Sequence, residues 1–142
     1  EVFHSFENPP GSLTWVIPQD DGWWCHFAHY KGENGKSLAI RYDRSWKKKQ
    51  RWTYPEKVVR DWDGMSLSGM VRHRGMWLGT PHTAKKLYVL DYPASGDKAA
   101  LLGEVAAPFT GQGIAPDPVS GGLVGGEAPS GGSNSSSWRD VA

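Results

Sequence analysis

The sequence predicts an all-β protein built from antiparallel four-stranded, blade-like repeats, arranged as a partial β-propeller or as stacked sheets. Residues 12–29, 66–82 and 112–125 share one pattern, in which an apolar strand, a polar turn ending in Gly and a second apolar strand follow one another. The three stretches begin roughly 45–55 residues apart, which is the spacing of propeller blades. The chain also contains 18 Gly, 10 Pro and 8 Trp, a composition typical of turn-rich β proteins.

The chain length limits the architecture. Its 142 residues suffice for one domain, but a closed propeller needs at least four blades of roughly 40–50 residues each. We therefore expect a piece of a larger protein, several copies that complete one another, or a smaller stack of sheets. The 16 Lys and Arg residues nearly balance the 15 Asp and Glu residues, so net charge gives no argument for nucleic acid or membrane binding.

The first repeat follows an irregular N-terminal segment, residues 1–11. Alternating and apolar runs predict four strands, at residues 12–18, 23–30, 37–43 and 50–54. Asn34-Gly35 predicts a hairpin turn between the second strand and the third. Pro55 opens the one candidate helix, at residues 55–61.

The second repeat has the same four-strand plan, and the third is incomplete. The second repeat predicts strands at residues 66–72, 76–80, 86–92 and 100–106. The third supplies two strands, so that residues 12–125 form the blade-like domain. Residues 126–142 are rich in Gly and Ser and predict a flexible tail. Trp138 in that tail could alternatively dock on a partner.

The cysteine content and the first residue of the chain bear on cellular location and cofactors. Cys25 is the single cysteine, so an internal disulfide cannot form. The sequence contains no apolar run of the length needed to span a membrane. Because the chain starts at Glu1 rather than Met, we expect a processed, exported protein located extracellularly or in the periplasm. No cofactor is expected.

The residues that could carry chemistry form no strong pattern. Cys25, His29 and His82 are weak candidates for a metal site, and structural or surface histidines are the favoured interpretation, since Cys-x-x-Cys and His-Glu-x-x-His motifs are absent. Asp61 and Asp63 flank Trp62 and could face a sugar, or could cap a loop. Catalysis is therefore the less favoured interpretation.

Aromatic residues give the better prediction of a binding function. Adjacent Trp23 and Trp24 point to opposite faces of a strand, so one of them is expected at a neighbouring blade, a ligand or another subunit. Strand 86–92 is apolar on both faces, and we expect Tyr88 and Leu90 at such a contact, with Trp62 as a further binding residue.

A basic run, residues 47–51, lies between Trp46 and Trp52. Aromatic and basic residues in alternation suit single-stranded nucleic acid or another anionic polymer. A solvated turn is the favoured interpretation, and nucleic acid is not an expected partner.

Four short segments resemble a group of uncharacterised bacterial β-propeller repeat proteins. They are Trp23-Trp24, Phe27-Ala28-His29-Tyr30, Leu87-Tyr88-Val89-Leu90 and Gly111-Gln112-Gly113-Ile114-Ala115. The resemblance covers residues 12–125 and implies blade-like sheets, but it brings no settled activity.

These observations predict a non-catalytic β-repeat module for protein–protein interaction or self-assembly. Open sheet faces have to be covered, so we expect a homo-oligomer or a larger protein assembly. The alternative is a carbohydrate-binding or carbohydrate-active propeller fragment that uses exposed Trp and Asp side chains, with a glycan as ligand.

Overall fold

The computed structural model describes residues 3–127 and 137–141, and it is mostly β, with 49% strand and 10% helix. The predicted all-β class, with antiparallel four-stranded sheets, is confirmed. Sheet A contains β1 (Ser12–Gln19), β2 (Gly22–Ala28), β3 (Leu38–Asp43) and β4 (Lys48–Thr53). Sheet B contains β5 (Leu67–His73), β6 (Met76–Pro81), β7 (Lys86–Asp91) and β8 (Ala100–Ala106). Sheet C contains β9 (Ile114–Pro116), β10 (Leu123–Glu127) and β11 (Ser137–Val141).

Two helical segments connect these strands. A 3₁₀ helix, Lys31–Lys36, joins β2 to β3, and α1 (Glu56–Asp61) joins sheet A to sheet B. The helix predicted at 55–61 is therefore present. The predicted Asn34-Gly35 hairpin turn is wrong, because both residues lie in the 3₁₀ helix. The Asn34 side-chain amide donates to the Met65 carbonyl, and this long-range bond replaces the local hairpin geometry that the dipeptide favours in isolation.

Sheets A and B share one plan down to their irregularities. In each sheet the strands pair antiparallel in sequence order. The first hairpin of sheet A has a bulge after Leu13, and that of sheet B has one after Leu67. The last hairpins have a second bulge, before Tyr42 in sheet A and before Leu90 in sheet B. Because bulges set local twist, the two repeats bend at equivalent points.

Sheets A and B are held together by an aromatic core. Its largest fully buried side chains include Trp52, Trp62 and Tyr88. Trp24 stacks on Trp52 with ring centroids 4.9 Å apart, and Trp77 lies 4.7 Å from Trp24. Burial of each such ring stabilises the fold by roughly 1.5–3 kcal/mol, so this interface is the main source of stability for the two repeats.

The free edge of β4 is covered by residues 93–99, which follow β7. The Trp52 indole donates to the Pro93 carbonyl at 2.9 Å. The Thr53 backbone amide donates to Asp97 at 2.9 Å, and the Ala99 amide donates to Thr53 at 2.8 Å. An edge strand left open would invite pairing with other chains, and this segment pairs with the Thr53 end of that edge through groups from the next repeat.

The outer face of sheet A, which points away from sheet B, is also apolar. Cys25, Phe27, Leu38, Ile40 and Tyr42 form a buried cluster there. Phe6 from the N-terminal segment and Trp46 from the β3–β4 loop pack against it. The N-terminal segment, which was expected to be irregular, therefore covers part of the outer face of sheet A through Phe6.

Sheet C covers the second face of sheet B. Phe109 is fully buried, and with Leu123 it packs against Leu78 and Leu87. We expected this face to require a further layer from another molecule. Instead, residues later in the same chain supply that layer.

The C-terminal end differs from the predicted flexible tail. Residues 137–141 form β11, which pairs antiparallel with β10 along its whole length, from Leu123↔Val141 to Glu127↔Ser137. The third repeat thus has three strands rather than two. Residues 128–136, the centre of the Gly/Ser-rich stretch, lie outside the described residues.

Replacing Gly125 by Ala is expected to loosen sheet C. A Cβ at this position would lie 2.0 Å from the Phe109 ring, so the ring must move, at a cost of roughly 1–3 kcal/mol. Gly103→Ala is the matched control, because a Cβ there meets nothing within 4 Å. Urea denaturation measures both variants, and equal stability of the two would contradict the described packing of Phe109.

Candidate binding groove

Adjacent Trp23 and Trp24 lie on opposite faces of sheet A, as their spacing requires. Trp24 packs in the core between sheets A and B, whereas Trp23 lies on the outer face. Both side chains are half-buried. Of these two residues, only Trp23 therefore lies outside the core between sheets A and B.

Trp23 belongs to a three-ring stack. Trp46 lies parallel to it with centroids 5.0 Å apart, and His4 stacks on Trp46 at 3.9 Å. Phe3 meets the edge of Trp23 at 5.4 Å and is 79% exposed. Both faces of the Trp46 ring are therefore occupied, and Phe3 presents the most accessible aromatic surface at this end of the sheet.

The loop between β3 and β4 holds Trp46 in an uncommon backbone conformation. Its φ is +62°, in the left-handed region that bulky residues rarely adopt. Asp43 fixes the loop, because its carboxylate accepts from the amides of Ser45 and Lys47 at 2.9 Å each. These bonds to the charged form lower the pKa of Asp43. The strained backbone of Trp46 is thus stabilised by the loop, and it places the indole on the outer face of sheet A.

A groove of about 340 Å³ lies between the N-terminal segment and this loop. Phe6, Tyr42 and Trp46 form its apolar wall, and Glu7 and Lys48 lie at its rim. The Tyr42 hydroxyl is buried and has no hydrogen-bond partner among the described residues. Burial raises the pKa of Tyr42 to about 12, so this hydroxyl is protonated at neutral pH and can donate a hydrogen bond.

A second groove of about 270 Å³ continues along β4. Its walls include Pro10, Leu38, Ile40 and Arg51, and it shares Pro10 and Lys48 with the first groove. Lys48, Lys49 and Arg51 are exposed at its rim. Within the part of the chain that the structure describes, none of the three forms an ion pair. The two lobes, which we call the outer groove, combine an apolar floor with a rim of exposed basic side chains.

Three of the predicted binding residues lie elsewhere. Trp62, Tyr88 and Leu90 are 1%, 0% and 2% exposed, and all three pack in the core between sheets A and B. In this conformation no ligand or second subunit can reach them. Their apolar character reflects burial within the chain, where the sequence alone suggested a contact with a partner.

A buried polar network crosses the interface between sheets A and B. His26 Nδ1 lies 2.8 Å from the Tyr54 hydroxyl, and Nε2 lies 3.1 Å from the Ser66 hydroxyl. The Tyr54 hydroxyl lies 2.9 Å from that of Tyr92. Although Ser and His are adjacent, His26 is 0% exposed and Ser66 is 1% exposed. A nucleophile must reach its substrate, so this pair is structural in the described conformation.

The two carboxylates considered for a sugar site have different environments. Asp61 accepts from Lys86 Nζ at 2.8 Å and from the Tyr88 hydroxyl at 3.3 Å. The hydrogen bond from Lys86 lowers the pKa of Asp61. Asp63 is exposed and has a positive φ of 46° in the turn after α1. Asp61 therefore links α1 to β7, as an ion-paired carboxylate rather than a general acid.

The weak metal candidates are not brought together as a ligand set. Cys25 is buried in the apolar outer-face cluster, and burial raises the pKa of its thiol to about 12. His29 Nε2 lies 2.5 Å from the Pro10 carbonyl, and His82 is exposed beside Thr83. Within residues 3–127 and 137–141, no group of three or more His, Cys, Asp or Glu side chains could hold a metal ion.

Sequence reasoning did not identify most of the outer groove. Phe3, Phe6 and Tyr42 were not predicted as binding residues, and the basic run was interpreted as a solvated turn. One signal was available: the alternation Leu38, Ile40, Tyr42 places three apolar side chains on one face of β3. The sequence carries no local signal that the segment from His4 to Pro10 folds back over that face.

Comparison of the chain with family models, with curated proteins and with solved structures found no significant match. No helix within the described ranges has the length and apolar character needed to cross a membrane.

Proposed function

We propose that the protein is a non-catalytic β-repeat module that binds protein partners, including further copies of itself, through the outer face of sheet A. The observation that carries this proposal is the outer groove, where the half-buried rings of Phe6 and Trp46 adjoin exposed basic side chains that form no ion pair among the described residues. Aromatic residues with a polar handle are the typical anchors of protein interfaces.

The distribution of the reactive groups supports binding over catalysis. The Ser66–His26 pair is buried, and the Asp61 carboxylate is engaged by Lys86. By contrast, the outer groove places apolar and charged side chains at the surface without linking them into a proton-transfer system. We propose a partial β-propeller architecture on the strength of the repeated four-stranded sheets and their matching bulges.

A carbohydrate ligand remains the alternative, favoured by the number of aromatic rings on the outer face. Sugar binding, however, uses the open face of a ring. Trp46 is covered on both sides, by His4 and by Trp23. A glycan would therefore have to use Phe3 or the outer side of His4, and we favour the protein partner.

Selection of peptides from a displayed random library tests the proposal. We expect peptides to be enriched on the immobilised protein, and their binding to fall at least fivefold in Phe3→Ser, because this exposed ring contributes apolar contact area beside Trp46, which lines the outer groove. Sedimentation velocity over a range of protein concentrations reports whether a second copy is among the partners.

Val119→Ser is the matched control. Val119 is apolar and 93% exposed, and it lies in the turn between β9 and β10 rather than on sheet A. Peptide binding that is equally sensitive to both substitutions would place the contact elsewhere. Enrichment of no peptide, together with glycan binding that quenches Trp fluorescence, would favour the carbohydrate alternative.

A further inference from the structure

The outer groove has the shape of a channel for a linear chain. Its floor follows the outer side of β3, where Leu38, Ile40 and Tyr42 are successive residues on one face. The distance along the strand from Leu38 to Tyr42 is about 13 Å, which matches a short extended segment. One wall is the N-terminal segment at Pro10, and the other is β4.

The charges along this channel are unequal. Lys48, Lys49 and Arg51 lie along the β4 wall, and none of them has an ion-pair partner among the described residues. Glu7 is the one acidic residue that lines either lobe, and it lies at the far end, in the lobe with Phe6 and Trp46. A ligand therefore meets a positive rim over the Leu38–Ile40 floor and an aromatic wall at the other end.

The outer groove offers no open Trp or Tyr face among its lining residues, and this narrows the ligand class. Single-stranded nucleic acids bind through free aromatic faces beneath successive bases, and oligosaccharides stack similarly on open rings. In the outer groove both faces of Trp46 are covered, and Tyr42 is only 3% exposed. An extended peptide needs no such platform, since it uses side-chain pockets, charge pairs and backbone hydrogen bonds.

We propose that the outer groove binds an extended acidic peptide segment of a partner protein. Carboxylates of the segment pair with Lys48, Lys49 and Arg51, and its apolar side chains contact the half-buried Phe6 and Pro10 at the groove wall. This inference rests on the proposed function, because it specifies the partner of the same surface.

Fluorescence polarisation with three labelled eight-residue peptides tests the inference. One alternates Glu with Leu, the second alternates Lys with Leu, and the third alternates Ser with Leu. We expect the Glu peptide to bind at least tenfold more tightly than the other two at low salt. Its affinity should fall as salt is raised from about 0.05 to 0.5 M, because exposed charges are screened.

Paired substitutions locate the contact. Lys48→Gln with Arg51→Gln should weaken binding of the Glu peptide at least tenfold. Lys57→Gln with Arg60→Gln removes the same charge from α1, where both side chains are exposed, and should leave binding within twofold. Circular dichroism checks that both variants retain the fold.

The possible results separate this inference from the function on which it rests. If the Ser or Lys peptide binds as well as the Glu peptide and competes for the outer groove, the acidic specificity is refuted and the protein-binding module stands. If none of the peptides binds while an acidic oligosaccharide or single-stranded DNA does, both proposals are overturned. Equal loss of binding in the two double variants would refute the location.

Discussion

Replacing Trp52 by Ala is expected to lower the free energy of unfolding by about 3–5 kcal/mol, a large fraction of the roughly 5–15 kcal/mol that stabilises an ordinary domain. Trp52 is 0% exposed and lies at the centre of the interface between sheets A and B. It stacks on Trp24 and meets the edge of Tyr92 at 5.4 Å. The small Ala39 opposite it on β3 cannot fill the cavity. Guanidinium denaturation followed by circular dichroism measures the loss.

Trp52→Phe separates packing from hydrogen bonding. It keeps an aromatic ring but removes the indole donor that reaches the Pro93 carbonyl at 2.9 Å. Gln50 also donates to that carbonyl, at 3.1 Å, so the acceptor is not left unsatisfied. We expect a loss of about 1–2 kcal/mol from the hydrogen bond and the smaller ring. A loss in Trp52→Ala no larger than this would show that the stacked rings are not the centre of the core.

The strands of sheets A and B were predictable because their apolar periodicity is local. Residues 37–43 and 86–92 were predicted as strands, and the structure has Leu38–Asp43 and Lys86–Asp91. In each strand the side chains are apolar on alternate or on both faces, and punctuating turns flank the run. This pattern survives in a single sequence because pleated geometry enforces it at every second residue.

The outer groove was not predictable, because it depends on contacts between distant parts of the chain. Phe6 gains its role only when the N-terminal segment folds over β3, and Lys48 borders the groove only through the bulge that pairs it with Tyr42. Bulges and covering segments leave no periodic signal. Tyr88 and Leu90 were predicted to contact a partner, but both are buried within the chain. The prediction could not separate these cases, because a buried strand and an interface strand have the same composition.

The buried network around His26 is expected to make the protein sensitive to mild acid. His26 is enclosed between sheets A and B, with hydroxyls of Tyr54 and Ser66 at its two ring nitrogens. Burial, with a smaller contribution from the charge of His29, lowers the pKa of His26 from 6.5 to about 3. The folded protein therefore holds this imidazole neutral across the whole physiological range.

The direction of the effect follows from proton binding. Below pH 6.5 the unfolded chain takes up a proton at His26 that the folded chain excludes until about pH 3. The stability contributed by the neutral imidazole is thus complete above pH 6.5 and is lost progressively as the pH falls towards 3. Between pH 7 and pH 5 the loss amounts to about 2 kcal/mol. Asp61 and Glu33, whose pKa values are lowered from 3.8 and 4.5, lose their contributions mainly below pH 5, so His26 dominates the change in this window.

Urea denaturation at pH 7 and pH 5 compares wild type with His26→Gln and His82→Gln. The Gln amide keeps a donor and an acceptor but cannot be protonated, so His26→Gln should start less stable at pH 7 and lose less than about 0.5 kcal/mol on acidification. His82 is exposed, and His82→Gln should retain the full dependence of the wild type. If the wild type is equally stable at both pH values, or if His26→Gln keeps the slope, the imidazole is not held neutral by burial. If only the His26 variant has the same free energy of unfolding at pH 7 and pH 5, then this one enclosed side chain causes the loss of stability in mild acid.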